Sequence, residues 1–335
     1  MDIIAVDDPS DDQISEWHGV VAAAQACDHP DGPVPTLAET SARLLGWNGG
    51  SRYLLWAAVE DGMAGVACLR LPNEAGRAGE IDVQVRPDRR RQGIGSRLLA
   101  VAGDALRASD CGTVISQVFA DAPAVPFLES HGFRCVLTMR ELVLRMSDVR
   151  PDRLAELLRT GPPGYELVRW TGTVPEAFAD GFAEAKVAMA ELPAGEQMRW
   201  DADRVREMAE MVAKRGDDLY TVAAVRGDRV AGFTEIVVPA AAPARAAQYD
   251  TVVVPEHRGR RLGIWVKAAM LEWLRADRPE VTEIETDNAD DNRHMLAVNE
   301  ELGFRRQREY REYLAGPGDL PTTSPGRSPG TRPGR

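Results

Sequence analysis

An internal duplication constrains this chain more than any other feature of its sequence. The run FRCVLTMREL from Phe133 returns as FRRQREYREY from Phe304, 171 residues later, and each is preceded by glycine. VRPDRRRQGIG from Val85 returns as VVPEHRGRRLG from Val253, and VEDGMAGV returns as VRGDRVAGF. Landmarks repeated in one order predict two copies of one fold, and a length of 335 residues suits two domains of ordinary size.

Breaks in the pattern predict the domain boundaries. The first copy is expected over residues 1–147 and the second over 165–315, with a linker at 148–164 where glycines and prolines interrupt regular structure. Residues 316–335 contain proline, glycine and hydroxyl side chains without apolar periodicity, so they are expected to be a disordered tail.

Each copy alternates strand and helix patterns in the same order. In the first copy a hairpin turning at Asp61-Gly62 precedes the strand IDVQV, which is followed by an amphipathic helix, a strand, a short helix and a closing strand. The predicted fold class is α/β of the α+β type, with two tandem domains that each contain a mixed, mostly antiparallel sheet flanked by helices.

Composition excludes several classes of protein. The formal net charge of −12 argues against nucleic acid as a partner and mildly favours a cationic ligand. No run of about 18 apolar residues or basic, apolar leader is visible, which predicts a cytoplasmic protein without a membrane partner. The cysteines lack metal-ligand spacing, so no metal is expected, and the oligomeric state stays open.

A basic, glycine-containing turn joins the strand IDVQV to the following helix. Unpaired amides at a helix N-terminus attract anions, and glycine lets phosphate oxygens approach the backbone. A pyrophosphate site is one interpretation, and a surface loop whose basic residues cap the helix is the other. The site candidates are Arg90, Arg91, Gln92, Gly93, Ile94, Gly95 and Ser96.

The order of hairpin, strand, R-x-x-G-x-G loop, helix, strand and short helix ending in Gly-Phe resembles the GNAT superfamily of acyl-CoA-dependent N-acyltransferases. The resemblance covers both copies and implies that the loop binds the pyrophosphate of acetyl-CoA. Two such copies in tandem are similar to mycothiol synthase and related two-domain acetyltransferases of actinobacteria.

The second loop differs from the first at an informative position. Arg261 stands where the first copy has Gly93, so a side chain there can crowd the phosphates or bind one. We therefore expect the first copy to be the better coenzyme site. The second-copy candidates are Arg258, Gly259, Arg260, Arg261 and Gly263.

Acidic residues on the strand before the loop are candidate bases. Glu80 and Asp82 share one strand face by alternation, and a solvated strand face is the plainer interpretation. The resemblance implies a base at about the position of Glu80, with Asp82 as its substitute. In the second copy Gln248 falls opposite Glu80 and Asp250 opposite Asp82.

Backbone groups on the same strands are further candidates. The resemblance implies that backbone N–H groups near Val83 and Val85, or near Val253, polarise the thioester carbonyl.

Two further features separate the copies. The family often has a tyrosine four residues before the Gly-Phe pair to protonate the thiolate, whereas this chain has Leu128 and Asn299 there. The second copy has Asn288 and Asn292, which match an asparagine-containing family motif. These amides can bind the pantetheine chain, or Asn292 can cap its helix.

Two classes of function follow from these patterns. The first is an N-acetyltransferase that moves an acetyl group from acetyl-CoA directly to the primary amine of a small cationic molecule; an aminosugar-cysteine conjugate is the acceptor that the mycothiol synthase resemblance implies. The second is a catalytically inactive protein that binds acyl-CoA as a sensor or interaction module.

Overall fold

The computed structural model describes residues 1–30, 34–45, 51–73, 77–188 and 200–323. They form two compact units. Unit 1 contains Met1–Thr138 and Tyr310–Arg335, and unit 2 contains Met139–Glu309. The mixed α/β architecture predicted for each copy is confirmed in both units.

Unit 1 places strands and helices in the predicted order. Its sheet has the strand order β1-β2-β3-β4-β5-β12. The elements are β1 (Asp2–Ala5), α1 (Asp11–Asp28), α2 (Leu37–Leu45), β2 (Ser51–Val59), β3 (Met63–Pro72), β4 (Gly79–Val85), α3 (Ile94–Arg107), β5 (Val114–Phe119), α4 (Ala124–Ser130) and the part of β12 (Arg305–Ala315) from Tyr310 onward.

Unit 2 repeats this pattern. Its sheet has the strand order β6-β11-β10-β9-β8-β7. The elements are the part of β6 (Arg134–Arg145) from Met139 onward, α5 (Pro151–Arg159), β7 (Glu166–Thr171), α6 (Ala179–Val187), α7 (Ala202–Lys214), β8 (Asp218–Arg226), β9 (Arg229–Val238), β10 (Arg245–Val253), α8 (Leu262–Asp277), β11 (Glu283–Ala289) and α9 (Arg293–Leu302).

The first hairpin forms where the sequence predicts it. β2 and β3 pair antiparallel, and Gly62 between them has φ of +102°, a conformation that glycine adopts without a steric penalty. Leu69 and Ile81 on the inner face of β3 and β4 pack with Leu99 of α3 in one core cluster. Burial of this apolar face positions α3 against β4.

The unit boundaries differ from those predicted. Residues 310–315 of β12 pair with β5 and complete the sheet of unit 1, and residues 139–145 of β6 pair with β11 and complete the sheet of unit 2. The final strand of each sheet therefore comes from the other copy of the sequence. The predicted linker 148–164 contains α5, which is helical because Leu154 and Leu157 are buried in the core of unit 2.

The start of the predicted disordered tail is packed on unit 1. Leu320 is buried, and the Arg107 guanidinium donates to the carbonyl oxygens of Pro317 and Leu320 at 2.7 and 3.2 Å. This part of the disorder prediction is wrong because an apolar anchor and charge-assisted hydrogen bonds hold the chain. Residues 324–335 lie outside the described residues.

Among the helices that the structure describes, none combines the length and the apolar character that a bilayer crossing requires.

Candidate active site

Strands β4 and β5 diverge in the middle of unit 1. They pair in parallel only at Gly79↔Val114 and Glu80↔Ile115. The N–H of Gly79 donates to the Thr113 oxygen at 2.9 Å, and strand alternation directs the amides of Val83 and Val85 to the same side. Val83 and Val85 lie beyond the part of β4 that pairs with β5, so their N–H groups line the opening between the two strands.

The loop after β4 leads directly into an uncapped helix. Gly93 is the N-cap of α3 with φ of +79°, and no side chain caps the helix. The N–H of Arg97 donates to the Gly93 oxygen at 3.1 Å, and the three preceding helical amides have no earlier carbonyl within the helix to bind. This arrangement suits an anionic ligand, and the Cβ direction of Gly93 has nothing within 4 Å.

Several predicted loop ligands have other partners. The Arg90 guanidinium donates to both Asp28 carboxylate oxygens at 2.6 and 2.8 Å and to the Val85 carbonyl oxygen at 3.1 Å. A Cβ on Gly95 would meet the Phe127 ring at 3.2 Å, so packing explains this glycine. The Ser96 hydroxyl bonds to His131 at 2.9 Å.

Two exposed side chains remain in the first loop. Within the described part of the chain, Arg91 and Gln92 have no recorded side-chain hydrogen bond or ion pair. They are therefore the loop side chains most available to a ligand.

The second loop keeps the same backbone conformation with its glycine at the other position. Arg91 and Gly93 have φ of +62° and +79°, and their counterparts Gly259 and Arg261 have +75° and +61°. Arg261 therefore does not destroy the loop, although a non-glycine residue in this conformation carries strain. Its guanidinium donates to Glu301 at 2.8 Å rather than remaining available to a ligand.

The other residues of the second loop also have local roles. The Arg260 guanidinium donates to the Glu256 carbonyl oxygen at 2.6 Å, and that of Arg258 donates to the Val253 oxygen at 3.1 Å. Gly263 has room, since its Cβ would contact only Val253 at 3.7 Å. Trp265, which follows the loop, is buried in the core and contacts Gly161.

A cavity of about 630 Å³ lies on the face of β4 that carries Asp82 and Gln84. The opposite face, with Val83 and Val85, packs against Ile94 of α3. The cavity combines an apolar wall with a few polar groups, as small-molecule sites usually do. Its lining includes Trp17, Val21, Leu44, Val66, Cys68, Glu39, Thr40, Arg43, Asp82 and Gln84.

The two candidate bases of unit 1 have different surroundings. Glu80 forms an ion pair with Arg70, its side chain is 58% exposed, and it is not among the residues that line the cavity. Asp82 lines the cavity and contacts Arg43 at 3.4 Å and the Gln84 amide at 3.1 Å. Geometry therefore favours Asp82 over Glu80 as the group that meets an acceptor.

The cavity also contains a thiol. Burial raises the pKa of Cys68 to about 12, and the nearby Asp82 carboxylate acts in the same direction. A neutral thiol is a poor nucleophile, so the environment of Cys68 favours direct transfer over an acyl-cysteine step.

In unit 2 the aspartate at the corresponding position contacts a lysine. The β10–β9 register shifts between Gln248 and Thr251, so that Tyr249 and Asp250 lie opposite the single residue Glu235. This bulge keeps Asp250 at the position of Asp82 but places Gln248 at the position of Ile81, which corrects the predicted match to Glu80. The Gln248 amide instead donates to Thr234 at 2.8 Å.

A lysine ammonium occupies the space beside Asp250. Nζ of Lys186 donates to Glu235 at 2.6 Å and to Asp250 at 2.8 Å. The same nitrogen lies 4.9 Å from the ring centroid of Trp200 and 5.1 Å from that of Phe233, within the range of cation–π attraction.

Burial and the neighbouring charges shift the pKa values of the groups in this cluster. Burial alone lowers the pKa of Lys186, but the carboxylates of Glu235 and Asp250 outweigh it and the pKa rises. Burial raises the pKa of Glu235, with Lys186 opposing the change. Lys186 therefore remains an ammonium ion, buried between the carboxylates of Glu235 and Asp250.

The sequence patterns did not identify Lys186 or Glu235 as members of this cluster. Lys186 lies within the mostly apolar helical stretch GFAEAKV. A single cation in that stretch was the only sequence feature that could have indicated its role. Glu235 interrupts the apolar strand VAGFTEIVV in the same way.

The asparagines of unit 2 satisfy local structure. The Asn292 side chain caps α9 by accepting from the Met295 N–H at 3.2 Å, which is the plainer of its two predicted roles. Asn288 is buried and accepts a hydrogen bond from the Asn299 amide. Neither side chain is directed to a ligand by these contacts.

Comparison with known proteins identifies the family. The model described as "Acetyltransferase (GNAT) family" matches residues 17–133 and 186–304. The chain belongs to the GNAT acetyltransferase family. It is a tandem GNAT protein and an acyl-CoA-dependent N-acetyltransferase.

Two curated relatives are mycothiol acetyltransferases. A mycothiol acetyltransferase of Sanguibacter keddieii is 27% identical over 299 residues, which cover 84% of this chain and 88% of the relative. A mycothiol acetyltransferase of Thermomonospora curvata is 31% identical over 59% of this chain and 65% of its own length.

A solved structure of similar organisation covers nearly the whole chain. A tandem GNAT protein from the clavulanic acid biosynthesis pathway is 29% identical, with a TM-score of 0.71 over 95% of this chain and 98% of its own.

Proposed function

We propose that unit 1 transfers an acetyl group from acetyl-CoA to the primary amine of a small molecule, which binds as an ammonium ion in the cavity beside Asp82. One observation carries the proposal. Asp250, the counterpart of Asp82, holds the Lys186 ammonium in unit 2, whereas the same face of unit 1 is an open cavity of about 630 Å³.

The coenzyme fits the groups on the other side of β4. The uncapped amides of Ile94, Gly95 and Ser96, together with the side chains of Arg91 and Gln92, would hold the diphosphate. Acetyl-CoA supplies the acetyl group as a thioester.

The residues of β4 have separate tasks in the transfer. An ammonium ion must lose a proton before its nitrogen can attack, and the Asp82 carboxylate accepts that proton directly or through water. The Val85 N–H, which faces the opening between β4 and β5, donates to the carbonyl oxygen where negative charge develops. Leu128 cannot protonate the departing thiolate, so solvent serves that role.

The acceptor of the related proteins is a second candidate. Two relatives are named mycothiol acetyltransferase, and their identities of 27% and 31% justify including that acceptor class, an aminosugar-cysteine conjugate, among the amines tested.

Release of free thiol from acetyl-CoA in the presence of a panel of primary amines tests the proposal. The wild-type chain should release thiol with at least one amine, and Asp82→Asn should lower kcat by about 10²-fold or more. Glu80→Gln is the matched carboxylate-to-amide change outside the cavity and should lower kcat less than threefold. Acetyl-CoA binding without thiol release from any amine would instead support an inactive acyl-CoA-binding protein.

A further inference from the structure

We propose that the cavity of unit 1 selects amines that also carry a carboxylate, and that Arg43 binds this carboxylate. The inference rests on the proposed function, because it names the class of acceptor for the same cavity. The acceptor class is an amino acid, or a molecule that presents an amino acid's ammonium and carboxylate, with an apolar side chain.

Arg43 is placed to contact a ligand. It lies on α2 and lines the cavity, and its side chain is 61% exposed. Its Nη2 is 3.4 Å from Asp82, and no other side-chain partner is recorded for it in the ranges that the structure describes. A guanidinium has five N–H donors, so most of its donors remain available.

Charge balance points to an anionic group on the acceptor. An acceptor ammonium beside Asp82 would compete with Arg43 for the same carboxylate, and the two cations would repel each other. A carboxylate on the acceptor removes this conflict, since Arg43 can then turn to it while Asp82 holds the ammonium. Paired N–H donors of arginine match the two oxygens of a carboxylate, which lysine does not reproduce.

Glu39 also lines the cavity, and its carboxylate is held at the start of α2. Its carboxylate already accepts from the Thr36 N–H at 2.7 Å and the Thr36 hydroxyl at 2.9 Å, which closes the first turn of α2. These hydrogen bonds also lower the pKa of Glu39. Glu39 therefore keeps its negative charge at the start of α2, and Asp82 is the carboxylate that Arg43 contacts.

The apolar wall defines the rest of the acceptor. Trp17, Val21, Leu44 and Val66 contribute apolar surface to the cavity. A volume of about 630 Å³ exceeds what an ammonium and a carboxylate alone would fill. Burying an apolar side chain against this wall adds affinity in proportion to the area removed from water.

The position of Arg43 separates it from the coenzyme. Asp82 projects from the face of β4 opposite Val83 and Val85, and those two valines pack against the start of α3. Arg43 contacts Asp82, so it belongs to the acceptor side of the strand. Its substitution should change the use of amines without weakening acetyl-CoA binding.

Matched pairs of amines test the inference. The probes are phenylalanine with phenethylamine, tryptophan with tryptamine, and leucine with 3-methylbutylamine, each assayed by thiol release from acetyl-CoA. In at least one pair the amino acid should have a kcat/KM ten or more times that of its decarboxylated partner. Phenylalanine methyl ester should behave like phenethylamine, because it lacks the anion.

Variants assign the preference to Arg43. Arg43→Ala should abolish the preference, mainly by raising KM for the amino acid, while KM for the decarboxylated amine should stay equal or fall, because the competing cation is removed. Arg43→Lys should restore only part of it. Arg134→Ala, an exposed arginine on β6 with no role in the cavity, is the matched control and should keep the wild-type preference.

The outcomes separate this inference from the proposed function. Thiol release only with amines that lack a carboxylate, or an equal loss with both members of each pair in Arg43→Ala, would overturn the carboxylate assignment and leave the acetyltransferase proposal standing. No thiol release with any amine would overturn both.

Discussion

Aspartate at one repeated position has a different role in each unit because its neighbours differ. Asp250 is paired with a buried lysine that Glu235 also binds, whereas Asp82 faces a cavity and contacts Gln84 and Arg43. The counterpart of Glu235 in the strand register is Cys68, which supplies no charge to hold a cation. Removal of one partner from a buried ion pair usually destabilises a protein, because it leaves the other charge unpaired. The carboxylate of Asp250 is therefore needed to pair with Lys186.

A second buried lysine predicts a pH dependence of stability. Lys267 of α8 is 2% exposed, its ammonium lies 4.9 Å from the Phe304 ring centroid, and burial lowers its pKa to about 7. The folded state therefore binds fewer protons than the unfolded state between about pH 7 and the unfolded pKa near 10.5. Stability rises with pH across that window.

Lys267→Leu should remove this dependence. Leucine already occupies the equivalent buried position in unit 1, Leu99. The variant should be more stable than wild type by up to about 3–5 kcal/mol at pH 7, with a smaller gain at pH 9.5. Urea unfolding at both pH values measures the change, and Lys214→Leu, at an exposed lysine, is the control. A gain that does not vary with pH would contradict this account of Lys267.

At the scale of elements, a left-handed N-cap residue distinguishes α3 and α8 from α4, α5 and α6, which also lack a side-chain cap: Gly93 has φ of +79° and Arg261 has φ of +61°. α1, α7 and α9 each begin with a side chain that accepts from a backbone N–H, whereas α3 and α8 do not. The sequence predicted these loops well because strand, turn and helix follow one another locally. The β10 bulge was not predictable, because it arises from the pairing of two strands rather than from a local pattern.

Prediction of the cavity from the sequence would also have required non-local information. Trp17 of α1, Arg43 of α2, Val66 of β3 and Asp82 of β4 are far apart in sequence and meet only in the folded unit. Strand alternation placed Asp82 on one face with Glu80, but it could not indicate that Arg70 pairs with Glu80 while Asp82 faces a cavity.

Exchange of the glycine in the first loop tests its role in coenzyme binding. Gly93→Arg should weaken acetyl-CoA binding to unit 1 by tenfold or more, because the new side chain takes up space that Gly93 leaves open at the start of α3. The fold should survive, since Arg261 adopts the same conformation in the second loop. Calorimetric titration measures the effect, with Arg261→Gly as the reciprocal variant. Unchanged affinity in Gly93→Arg would show that the first loop does not hold the coenzyme.

On the scale of the whole molecule, the last strand of each sheet comes from the other copy of the sequence. The repeat predicted two similar domains, and local patterns identified most strands and helices. No local sequence pattern indicates that residues 310–315 pair with β5. The predicted domain boundary at 147 and the predicted start of the disordered tail at 316 therefore differ from the structure.

Truncation shows whether β12 is part of unit 1. Deletion of residues 310–335 removes Tyr313 and Leu320 from the core and leaves the β5 edge unpaired. Loss of such large buried side chains costs several kcal/mol, so unit 1 should become sensitive to protease and lose cooperative thermal unfolding. Deletion of residues 324–335 alone is the control and should leave the unfolding transition unchanged. Equal behaviour of both truncations would contradict this assignment of β12.

Turnover by Asp82→Asn and Asp250→Asn tests the central claim most directly. Each variant replaces one carboxylate with an amide at the repeated position, and thiol release is measured with the best amine after the fold and acetyl-CoA binding are confirmed. We predict a fall in kcat of about 10²-fold or more for Asp82→Asn and a change of less than fivefold for Asp250→Asn. The reverse order would assign catalysis to unit 2 and contradict the account.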